Sequence, residues 1–283
     1  MTAPPKIWRH RTGEIVLDRT QVMGVLNVTP DSFSDGGRFF APDIATRHGL
    51  DLVDEGADLL DIGGESTRPG SDPVSADEEW RRIGSVIRDL ASKVHVPISV
   101  DTMKPDVAAK AMEAGASIVN DVSGLQDPAM ARLVARTRAG VVAMHMLGNP
   151  KTMQDQPRYR DVVGEVRSFF ADRIRALESA GVASEAIAID PGVGFGKTFD
   201  HNMALLANLR EIVALGHPVV VGVSRKSFIE RIAGAEAGDR LPGSLAAAAL
   251  AVAQGAHVVR AHDVRATVQA TRVVDRILRG EKL

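Results

Sequence analysis

The sequence has no cysteine among its 283 residues, which excludes disulfide bridges, thiolate zinc sites, iron–sulfur clusters and a thiol nucleophile. Aromatic residues are scarce, at 4%, so a stacking platform for single-stranded nucleic acid is not expected. An excess of charge of one sign is also missing, because 34 Lys and Arg residues face 36 Asp and Glu residues. A net charge of −2 provides neither the basic footprint of a nucleic-acid binder nor an attraction to an anionic membrane.

The sequence also lacks a long hydrophobic run of the kind that spans a membrane. The longest uncharged stretch, residues 241–259, contains Pro242, Gly243 and Gln254, and much of the rest is alanine, which transfers poorly to lipid. The first eleven residues are polar and charged and include two prolines, so they do not resemble a secretory signal. We therefore expect a cytoplasmic protein with one core, no membrane segment and no nucleic-acid partner.

What is present is a repeated alternation of helical and strand-like segments. Six amphipathic stretches each end in a glycine, a residue that tolerates the positive φ of a helix C-cap. These glycines are Gly56, Gly115, Gly140, Gly181, Gly216 and Gly255. A short, nearly continuous apolar run follows each of them, and two further runs complete a set that is typical of parallel strands covered on both faces. The eight runs are 21–26, 58–62, 96–100, 116–119, 141–144, 186–189, 218–223 and 256–259.

The starts of several helices agree with this pattern. Ser75 and Glu78 fit a capping box, and Pro105 and Pro128 lie where a first helical turn accepts proline. Eight strands alternating with eight helices, with one extra helical segment before the last strand, predict an α/β fold, a closed (β/α)₈ TIM barrel of about 250 residues. An open, doubly wound sheet is the alternative.

The N-terminal segment predicts a small addition to this barrel. Residues 7–17, with Thr12 and Gly13 at their middle, are typical of a β-hairpin, and we expect residues 1–20 to close the N-terminal end of the barrel. No linker or shift in composition divides the chain. We therefore expect residues 1–283 to form a single domain.

A polar or ionisable residue follows each predicted strand, at the end of a barrel where active sites lie. These residues are Asn27, Asp61, Asp101, Asn120, Asp121, His145, Asp190, Ser224, Arg225, Lys226, Arg260 and His262. One such residue alone is commonly a helix cap or a turn residue, and for His145 a structural and a functional role both stay open. Eight strand ends converging on one rim indicate a polar site.

The residue types at this rim indicate the chemistry of the ligand. The acceptors and the amide of Asp101, Asn120 and Asp190 suit a flat nitrogen heterocycle that presents several N–H donors. The cationic donors on the other side suit a phosphate or carboxylate group, and they are Lys226, Arg260 and His262. The combination predicts a heterocycle with a phosphorylated arm, and no Ser/His/Asp arrangement suggests a covalent triad.

Two loops after the first two strands are too polar and too long for tight turns. Residues 27–37 and 63–70 have the composition of mobile lids that close over a ligand. A third segment, 192–198, resembles a phosphate-binding P-loop, but Pro191 stands where that motif requires its first glycine. The P-loop interpretation therefore fails.

The loop sequences MGVLNVTPDSFSDGG at 23–37 and DIGGESTRPG at 61–70 resemble the two signature segments of bacterial dihydropteroate synthases. Further matching segments follow in the family's order, namely 99–102, 119–121, 144–146, 190–197, 224–227 and 260–263. The resemblance implies a (β/α)₈ barrel, usually a homodimer, that uses Mg²⁺ to condense 4-aminobenzoate with 6-hydroxymethyl-7,8-dihydropterin diphosphate, giving 7,8-dihydropteroate and pyrophosphate. Ala261 is a small departure, because the family more often has valine there.

The resemblance also implies a role for individual residues. The pterin ring would be held by Asp101, Asn120, Asp190 and Lys226, in a slot shaped by Met144, Phe195 and Gly222. The magnesium ion would contact Asn27, and the diphosphate would contact Asn27, Thr67, Arg260 and His262. The 4-aminobenzoate pocket would be lined by Phe33, Thr67, Arg68, Pro69, Phe195 and Ser227. The catalytic residues would be Asp35, Lys226, Arg260 and His262, with pyrophosphate leaving before the arylamine attacks.

Two other functions fit a barrel that holds a pterin. A methyltetrahydrofolate-dependent methyltransferase has no diphosphate to bind, so the long loop at 31–37 and the cationic residues of the rim argue against it. A non-catalytic pterin-binding paralogue is expected to lose loop residues first, and Asp35, Thr67 and Arg68 are all present.

Overall fold

Eight parallel strands form the centre of the molecule, and nearly all of their residues are buried. The structure is a computed structural model that describes residues 6–29, 42–67 and 70–279. In chain order, the strands are β1 (Ile7–His10), β2 (Gly13–Val16), β3 (Gln21–Asn27), β4 (Leu59–Gly63), β5 (Ile98–Asp101), β6 (Ile118–Asp121), β7 (Gly140–Met144), β8 (Ile187–Asp190), β9 (Val220–Gly222) and β10 (Val258–Ala261). The helices are α1 (Pro42–Asp54), α2 (Ala76–Ala91), α3 (Pro105–Glu113), α4 (Pro128–Thr137), α5 (Val162–Ser179), α6 (Phe199–Ala207), α7 (Leu209–Val213), α8 (Ser227–Ala233), α9 (Leu241–Ala253) and α10 (Val264–Arg279).

The parallel strands curl into a nearly closed barrel. They are hydrogen-bonded in the order β8-β7-β6-β5-β4-β3-β10-β9, so the first and last strands of this order must meet for closure. They meet at a bridge between Ile189 and Val219, where the Ile189 amide donates to the Pro218 carbonyl at 2.9 Å. The (β/α)₈ barrel predicted from the sequence is therefore confirmed, and the open doubly wound sheet is not observed.

The alternation of side chains along each strand divides the core into two layers. Val22 belongs to the large apolar layer between barrel and helices, whereas Met23, its neighbour in β3, belongs to the cluster inside the barrel. The interior cluster also contains Leu59, Ile118 and Val142 from three other strands. The lower barrel is therefore filled mainly with apolar side chains, and the charged residues of the eight parallel strands lie toward its C-terminal mouth.

The antiparallel hairpin β1–β2 covers the N-terminal end of the barrel, as predicted. Trp8 is fully buried in the interior cluster, and its indole N–H donates to the Ala186 carbonyl at 3.1 Å. Ile15 and Leu17 join the same cluster. The hairpin therefore supplies the lowest layer of the interior core.

One of the predicted helix caps is wrong. Gly140 does not end a helix, because α4 stops at Thr137, Arg138 takes the left-handed conformation with φ 55°, and Gly140 begins β7. A Cβ atom at Gly140 would lie 3.0 Å from the Arg9 carbonyl oxygen, so the glycine permits the close approach of the hairpin. The other five predicted caps have positive φ: Gly56, Gly115, Gly181, Gly216 and Gly255.

Two helix boundaries differ in detail from the sequence pattern. Ser75 caps α2 by accepting a hydrogen bond from the Glu78 amide, but the Glu78 carboxylate pairs with Arg81 and Arg82 and does not complete the box. The helical region after β8 is interrupted at Asn208, which separates α6 from α7. The extra helical segment predicted before the last strand is present, since α8 and α9 both precede β10.

Candidate active site

Arg260 is the centre of a buried ionic network at the mouth of the barrel. It projects from β10 and reaches across the interior, where its Nε donates to Asp61 Oδ2 at 2.6 Å and its Nη2 donates to Asp101 Oδ2 at 2.9 Å. The Asn120 amide also donates to Asp61 Oδ2, at 3.0 Å, which leaves the Asn120 carbonyl oxygen to accept from a ligand. Inward-facing residues of β4, β5, β6 and β10 are thus joined in one network.

The pKa values of the charged groups in this network are shifted by their burial and by one another. The pKa of Asp101 is raised above its ordinary value, first by burial and then by the neighbouring charge of Asp61, although Arg260 opposes the shift. The pKa of Arg260 is raised because the attraction of Asp61 and Asp101 outweighs the effect of burial. Asp61 Oδ1 has no hydrogen-bond partner among the described residues. The network therefore has acceptor capacity left over for a ligand or for water.

Lys226 and Asp190 lie on the opposite side of the mouth. The Asp190 carboxylate accepts from the Gly192 amide at 2.7 Å, and burial raises its pKa. The Lys226 ammonium lies 4.2 Å from the centre of the Phe195 ring, a cation–π contact. Burial lowers the pKa of Lys226 to about 8, against the attraction of Asp190. Lys226 therefore still carries its charge at pH 7 and loses it as the pH rises through about 8, and an anionic ligand would favour the charged form.

A methionine-rich apolar surface adjoins Phe195. Met144, Met146 and Met153 are buried together with Val122, and Phe195 packs against them. Flexible, polarisable thioethers of this kind adapt to a flat ring. Gly222 belongs to the same mouth, and a Cβ atom placed on it would meet nothing within 4 Å, so this glycine borders open space.

His262 is held in one orientation by Ser224. The Ser224 oxygen accepts from the His262 backbone amide at 3.2 Å and lies 3.1 Å from His262 Nδ1. The Ser224 hydroxyl can donate to Nδ1, and in that tautomer the ring proton lies on Nε2. Burial lowers the pKa of His262 to about 4, and Arg260 adds to this effect. The ring is neutral at pH 7 and offers a single N–H donor.

The remaining predicted residues are placed at the same end of the barrel. Asn27 is the last residue of β3, Thr67 is half-buried after β4, and Ser227 is exposed at the start of α8, directly after Lys226. Among the described residues, no hydrogen bond or ion pair joins them to the ionic network. Four predicted residues lie outside the described residues: Phe33, Asp35, Arg68 and Pro69.

The donor set fits a loosely held magnesium ion but not a closed metal cage. The described residues contain no group of three or more His, Asp and Glu side chains that could hold a metal. The amide oxygen of Asn27 is a hard ligand at the mouth, and Mg²⁺ commonly takes one or two protein oxygens together with substrate phosphates and water. Asn27 therefore suits an ion that arrives with a diphosphate.

The sequence did not indicate the roles of two residues that organise the site, Asp61 and Lys197, and it left the role of His145 open. Asp61 was recognised only as a rim residue, although it bonds both Arg260 and Asn120. Lys197 had no assigned role, yet it is buried and hydrogen-bonded to the buried His145. Only the tertiary contacts reveal these roles, because these partners of Asp61 and Lys197 lie 52 or more positions away in the sequence.

Asp121 has a structural role that is common for an aspartate at the end of a strand. Its carboxylate accepts from the Ser123 amide and hydroxyl at 2.7 and 2.6 Å and from the Leu125 amide at 3.2 Å. It thus closes the turn after β6. The acceptors that remain at the mouth are Asp61, Asp101 and Asn120 on one side and Asp190 on the other.

A barrel whose mouth combines buried acceptors, an arginine network and a methionine-rich slot is suited to a flat heterocycle with an anionic arm. The comparisons agree, because residues 23–262 match the family model described as pterin binding enzyme. The class of protein defined by fold and site is therefore a pterin-binding (β/α)₈ enzyme.

Comparison with individual relatives identifies the family within this class. The chain is 46% identical to the dihydropteroate synthase of Escherichia coli over 266 residues, covering 94% of each chain. It is 49% identical to the Xanthomonas albilineans dihydropteroate synthase solved with 4-aminobenzoic acid, with a TM-score of 0.88 over 93% of this chain and 95% of that one. A structure of the X. albilineans enzyme in complex with 7,8-dihydropteroate matches with a TM-score of 0.85 and 45% identity, covering 93% and 95% of the two chains. The chain belongs to the dihydropteroate synthase family, whose members are transferases.

Proposed function

We propose that this protein condenses 4-aminobenzoate with 6-hydroxymethyl-7,8-dihydropterin diphosphate, releasing 7,8-dihydropteroate and pyrophosphate. The observation that carries the proposal is the arrangement around Arg260, which is bonded to Asp61 and Asp101 at the mouth and lies on the same rim as Lys226 and His262. Acceptors for a pterin and donors for a diphosphate are thus close together. The relatives solved with 4-aminobenzoic acid and with 7,8-dihydropteroate support the same substrates.

The pterin is proposed to bind by its N–H-rich edge to the buried acceptors. Asp101 and Asp190 offer carboxylate oxygens, and Asn120 offers its carbonyl oxygen because its amide N–H is used on Asp61. Met144 and Phe195 would face the ring, with Gly222 leaving room for it. The Lys226 ammonium beside Phe195 would donate to a pterin acceptor.

The diphosphate is proposed to lie over the cationic residues. Arg260 and the Nε2–H of His262 would donate to phosphate oxygens, with Asn27 and Thr67 beside them. The bond between the exocyclic methylene carbon and the diphosphate oxygen breaks with its electron pair going to that oxygen. Fixed donors then stabilise the developing negative charge on pyrophosphate.

The carbon left behind is cationic and conjugated to the pterin ring. Asp101 and Asp190 lie on the same rim and in their ionised forms would favour it electrostatically, whereas no described residue is proposed to bond to it covalently. The arylamine nitrogen of 4-aminobenzoate then forms the new carbon–nitrogen bond and loses a proton. Asp35 is proposed to shield the cation from the first loop, and the 4-aminobenzoate would be held by Phe33, Thr67, Arg68, Pro69, Phe195 and Ser227.

Magnesium is proposed as the cofactor, held by Asn27 and the diphosphate. When bound, the ion neutralises the charge of the leaving pyrophosphate. Asn27 would hold the ion from the end of β3, and the absence of a carboxylate cage in the described ranges predicts weak binding without the diphosphate.

We further propose a cytoplasmic homodimer. No helix in the described ranges combines the length and hydropathy that crossing a membrane requires. Val273 and Ile277 are exposed one turn apart on α10, and such an apolar face favours a partner subunit. Light scattering at micromolar concentration measures the mass directly, and a mass of one chain would contradict the dimer.

Pyrophosphate release tests the proposed reaction. Purified protein with the pterin diphosphate and Mg²⁺ should release pyrophosphate in step with dihydropteroate only when 4-aminobenzoate is present. Lys226→Ala and Arg260→Ala should each lower kcat/KM by about 100-fold or more, whereas the exposed controls Lys93→Ala and Arg132→Ala should not change it. Tight binding of the pterin diphosphate without product would contradict the enzyme and favour the non-catalytic paralogue.

A further inference from the structure

Lys197 is a buried lysine that bonds no carboxylate at hydrogen-bond distance in the described part of the chain. It is 2% exposed, and its ammonium donates to His145 Nδ1 at 2.9 Å, to the Phe195 carbonyl at 2.9 Å and to the His145 carbonyl at 3.2 Å. An ammonium has three N–H bonds, so its donors are fully used by three neutral acceptors. The His145 ring must then carry its own proton on Nε2.

This arrangement is costly for an ammonium group. Burial lowers the pKa of Lys197 to about 7; the charge of Asp190 opposes this shift and that of Lys226 adds to it. Burial, and then the charge of Lys197, lower the pKa of His145 to about 3, so the ring stays a neutral acceptor. A methionine would fill nearly the same volume without this desolvation, so the gain must come from what the three bonds hold in place.

The two bonds to His145 join the segment after β7 to the segment after β8, and the bond to the Phe195 carbonyl lies within the second segment. The second segment contains Gly192, Gly194 and Gly196, all in the left-handed region with φ of 66°, 86° and 61°. A glycine-rich loop has many alternative conformations and loses much backbone entropy when it is ordered. Lys197, at its end, ties the carbonyl of Phe195 to the buried His145, which itself packs edge-on against Phe169 at 4.9 Å.

Phe195 is the residue of this loop that reaches the mouth. Its ring lies 4.2 Å from the Lys226 ammonium and packs against the cluster that contains Met144. Its backbone is held from both sides, because its amide donates to the Gly192 carbonyl at 3.0 Å and its carbonyl accepts from Lys197. The position of the ring is therefore coupled to the Lys197 ammonium through one peptide group.

We propose that Lys197 is a positioning residue for the reaction: by bonding His145 and the Phe195 carbonyl, it holds the Phe195 ring between the pterin slot and the 4-aminobenzoate pocket. The proposal rests on the proposed function, to which it adds a residue that touches neither substrate. Lys197 acts only through Phe195. Its loss should therefore affect the capture of 4-aminobenzoate more than the ionic network around Arg260.

A double-mutant cycle tests whether Lys197 acts through Phe195. Lys197→Met and Phe195→Leu should each raise the KM for 4-aminobenzoate or lower kcat, with kcat/KM falling by about 10-fold or more, and the double variant should be no worse than the more damaging single variant. The dissociation constant of the pterin diphosphate should change by less than about 3-fold in Lys197→Met. Additive losses in the double variant would overturn the proposal.

Amide hydrogen exchange provides a readout that does not depend on turnover. In Lys197→Met, exchange should accelerate at Gly194 and Phe195, whose amides are bonded to Asn202 and Gly192, and should stay unchanged in β3 and β4. Faster exchange throughout the barrel would instead assign Lys197 to general stability and overturn the proposal. The exposed control Lys93→Met should change neither region.

If Lys197→Met does not fold, Lys197→Gln replaces it in the same cycle, because its amide retains N–H donors, and the same criterion of additivity applies. Failure of the proposed function is seen separately, as a lack of product from the unaltered protein. In that case the exchange experiment still decides whether Lys197 holds the loop.

Discussion

At the scale of the residue, the mouth of the barrel has more buried carboxylates than cations to pair with them. Asp61 and Asp101 share the single guanidinium of Arg260, and Asp190 shares the mouth with a Lys226 whose pKa is lowered to about 8. The pKa of Asp101 and that of Asp190 are raised by burial. We therefore expect the binding of a charged ligand to change the protonation of these groups.

The charge of Asp61 should account for part of the raised pKa of Asp101. In Asp61→Asn, we expect the pKa of Asp101 to fall toward its ordinary value of 3.8, as measured by ¹³C NMR titration of the carboxyl group. The folded protein binds the Asp101 proton more tightly than the unfolded chain does. Its free energy of unfolding consequently falls as pH rises from 3.8 toward the raised value, and this slope should weaken in the variant.

An unchanged titration of Asp101 in Asp61→Asn would show that burial alone sets its pKa. Asp58→Asn is a matched control, because Asp58 lies just before β4 and pairs with Arg19, away from the mouth. It should leave the titration of Asp101 unaltered.

Ser224 should determine the tautomer of His262. We expect Ser224→Ala to lose one hydrogen bond to the ring, worth about 1 kcal/mol, and to weaken binding of the pterin diphosphate about 5-fold in calorimetry. ¹⁵N NMR of the ring should then show both tautomers. Ser227→Ala is the control, and an equal loss of diphosphate affinity in that variant would contradict the assignment.

The lowered pKa of His262 also makes the free energy of unfolding depend on pH in a defined direction. Its pKa is about 4 in the folded protein against an ordinary value of 6.5, so the unfolded chain binds the proton more tightly between these values. His262 therefore removes stability as the pH falls from 6.5 toward 4.

At the scale of the element, the loop between β8 and α6 depends on glycine where a methyl group has no room, at Gly192 and at Gly196, and Gly192 is the tighter of the two. A Cβ atom at Gly192 would lie 2.0 Å from the His145 carbonyl oxygen, and its φ of 66° is strained for other residues. At Gly222, at the end of β9, a Cβ atom would meet nothing within 4 Å. Gly192 and Gly222 therefore have different functions.

Alanine substitutions should separate these functions. Gly192→Ala should lower the free energy of unfolding by at least about 1–3 kcal/mol in urea titration, because the loop must move off β7. Gly222→Ala should leave it within about 0.5 kcal/mol but weaken pterin binding, because its methyl group enters the slot. The reverse pattern, with Gly222→Ala unstable and binding unchanged, would remove Gly222 from the slot.

At the scale of the whole molecule, the two ends of the barrel have separate tasks. Trp8, Ile15 and Leu17 fill the N-terminal end from the hairpin, whereas the ionic network occupies the C-terminal mouth. Stability and chemistry should consequently be separable by mutation.

Trp8→Ala should destabilise the protein without impairing the site. Removing a fully buried indole and its hydrogen bond to the Ala186 carbonyl should lower the free energy of unfolding by about 3–5 kcal/mol in urea titration. The kcat measured well below the unfolding transition should stay within about 2-fold, since additivity holds for distant sites. Val16→Ala, exposed on the same hairpin, is the control, and a large loss of kcat in Trp8→Ala would contradict the separation.

Much of the architecture could be predicted from the sequence because it depends on local patterns. The apolar runs identified the barrel strands, and Pro105 and Pro128 marked helix starts that the structure confirms. Gly140 was misassigned because the same residue type serves a helix cap and a close approach of two segments. The approach of Arg9 to Gly140 is made by a hairpin more than a hundred positions away, so no local pattern contains it.

The sequence by itself determined the alternation of strands and helices, the polar rim and the family resemblance, since each depends on residue order and spacing. Only the tertiary structure decided that Asp61 joins Arg260 to Asn120, that Asp121 merely closes a turn, and that Lys197 ties His145 to the Phe195 loop. The physical reason is distance along the chain. Asp61 and Arg260 are 199 positions apart, and only closure of the barrel brings their side chains to 2.6 Å.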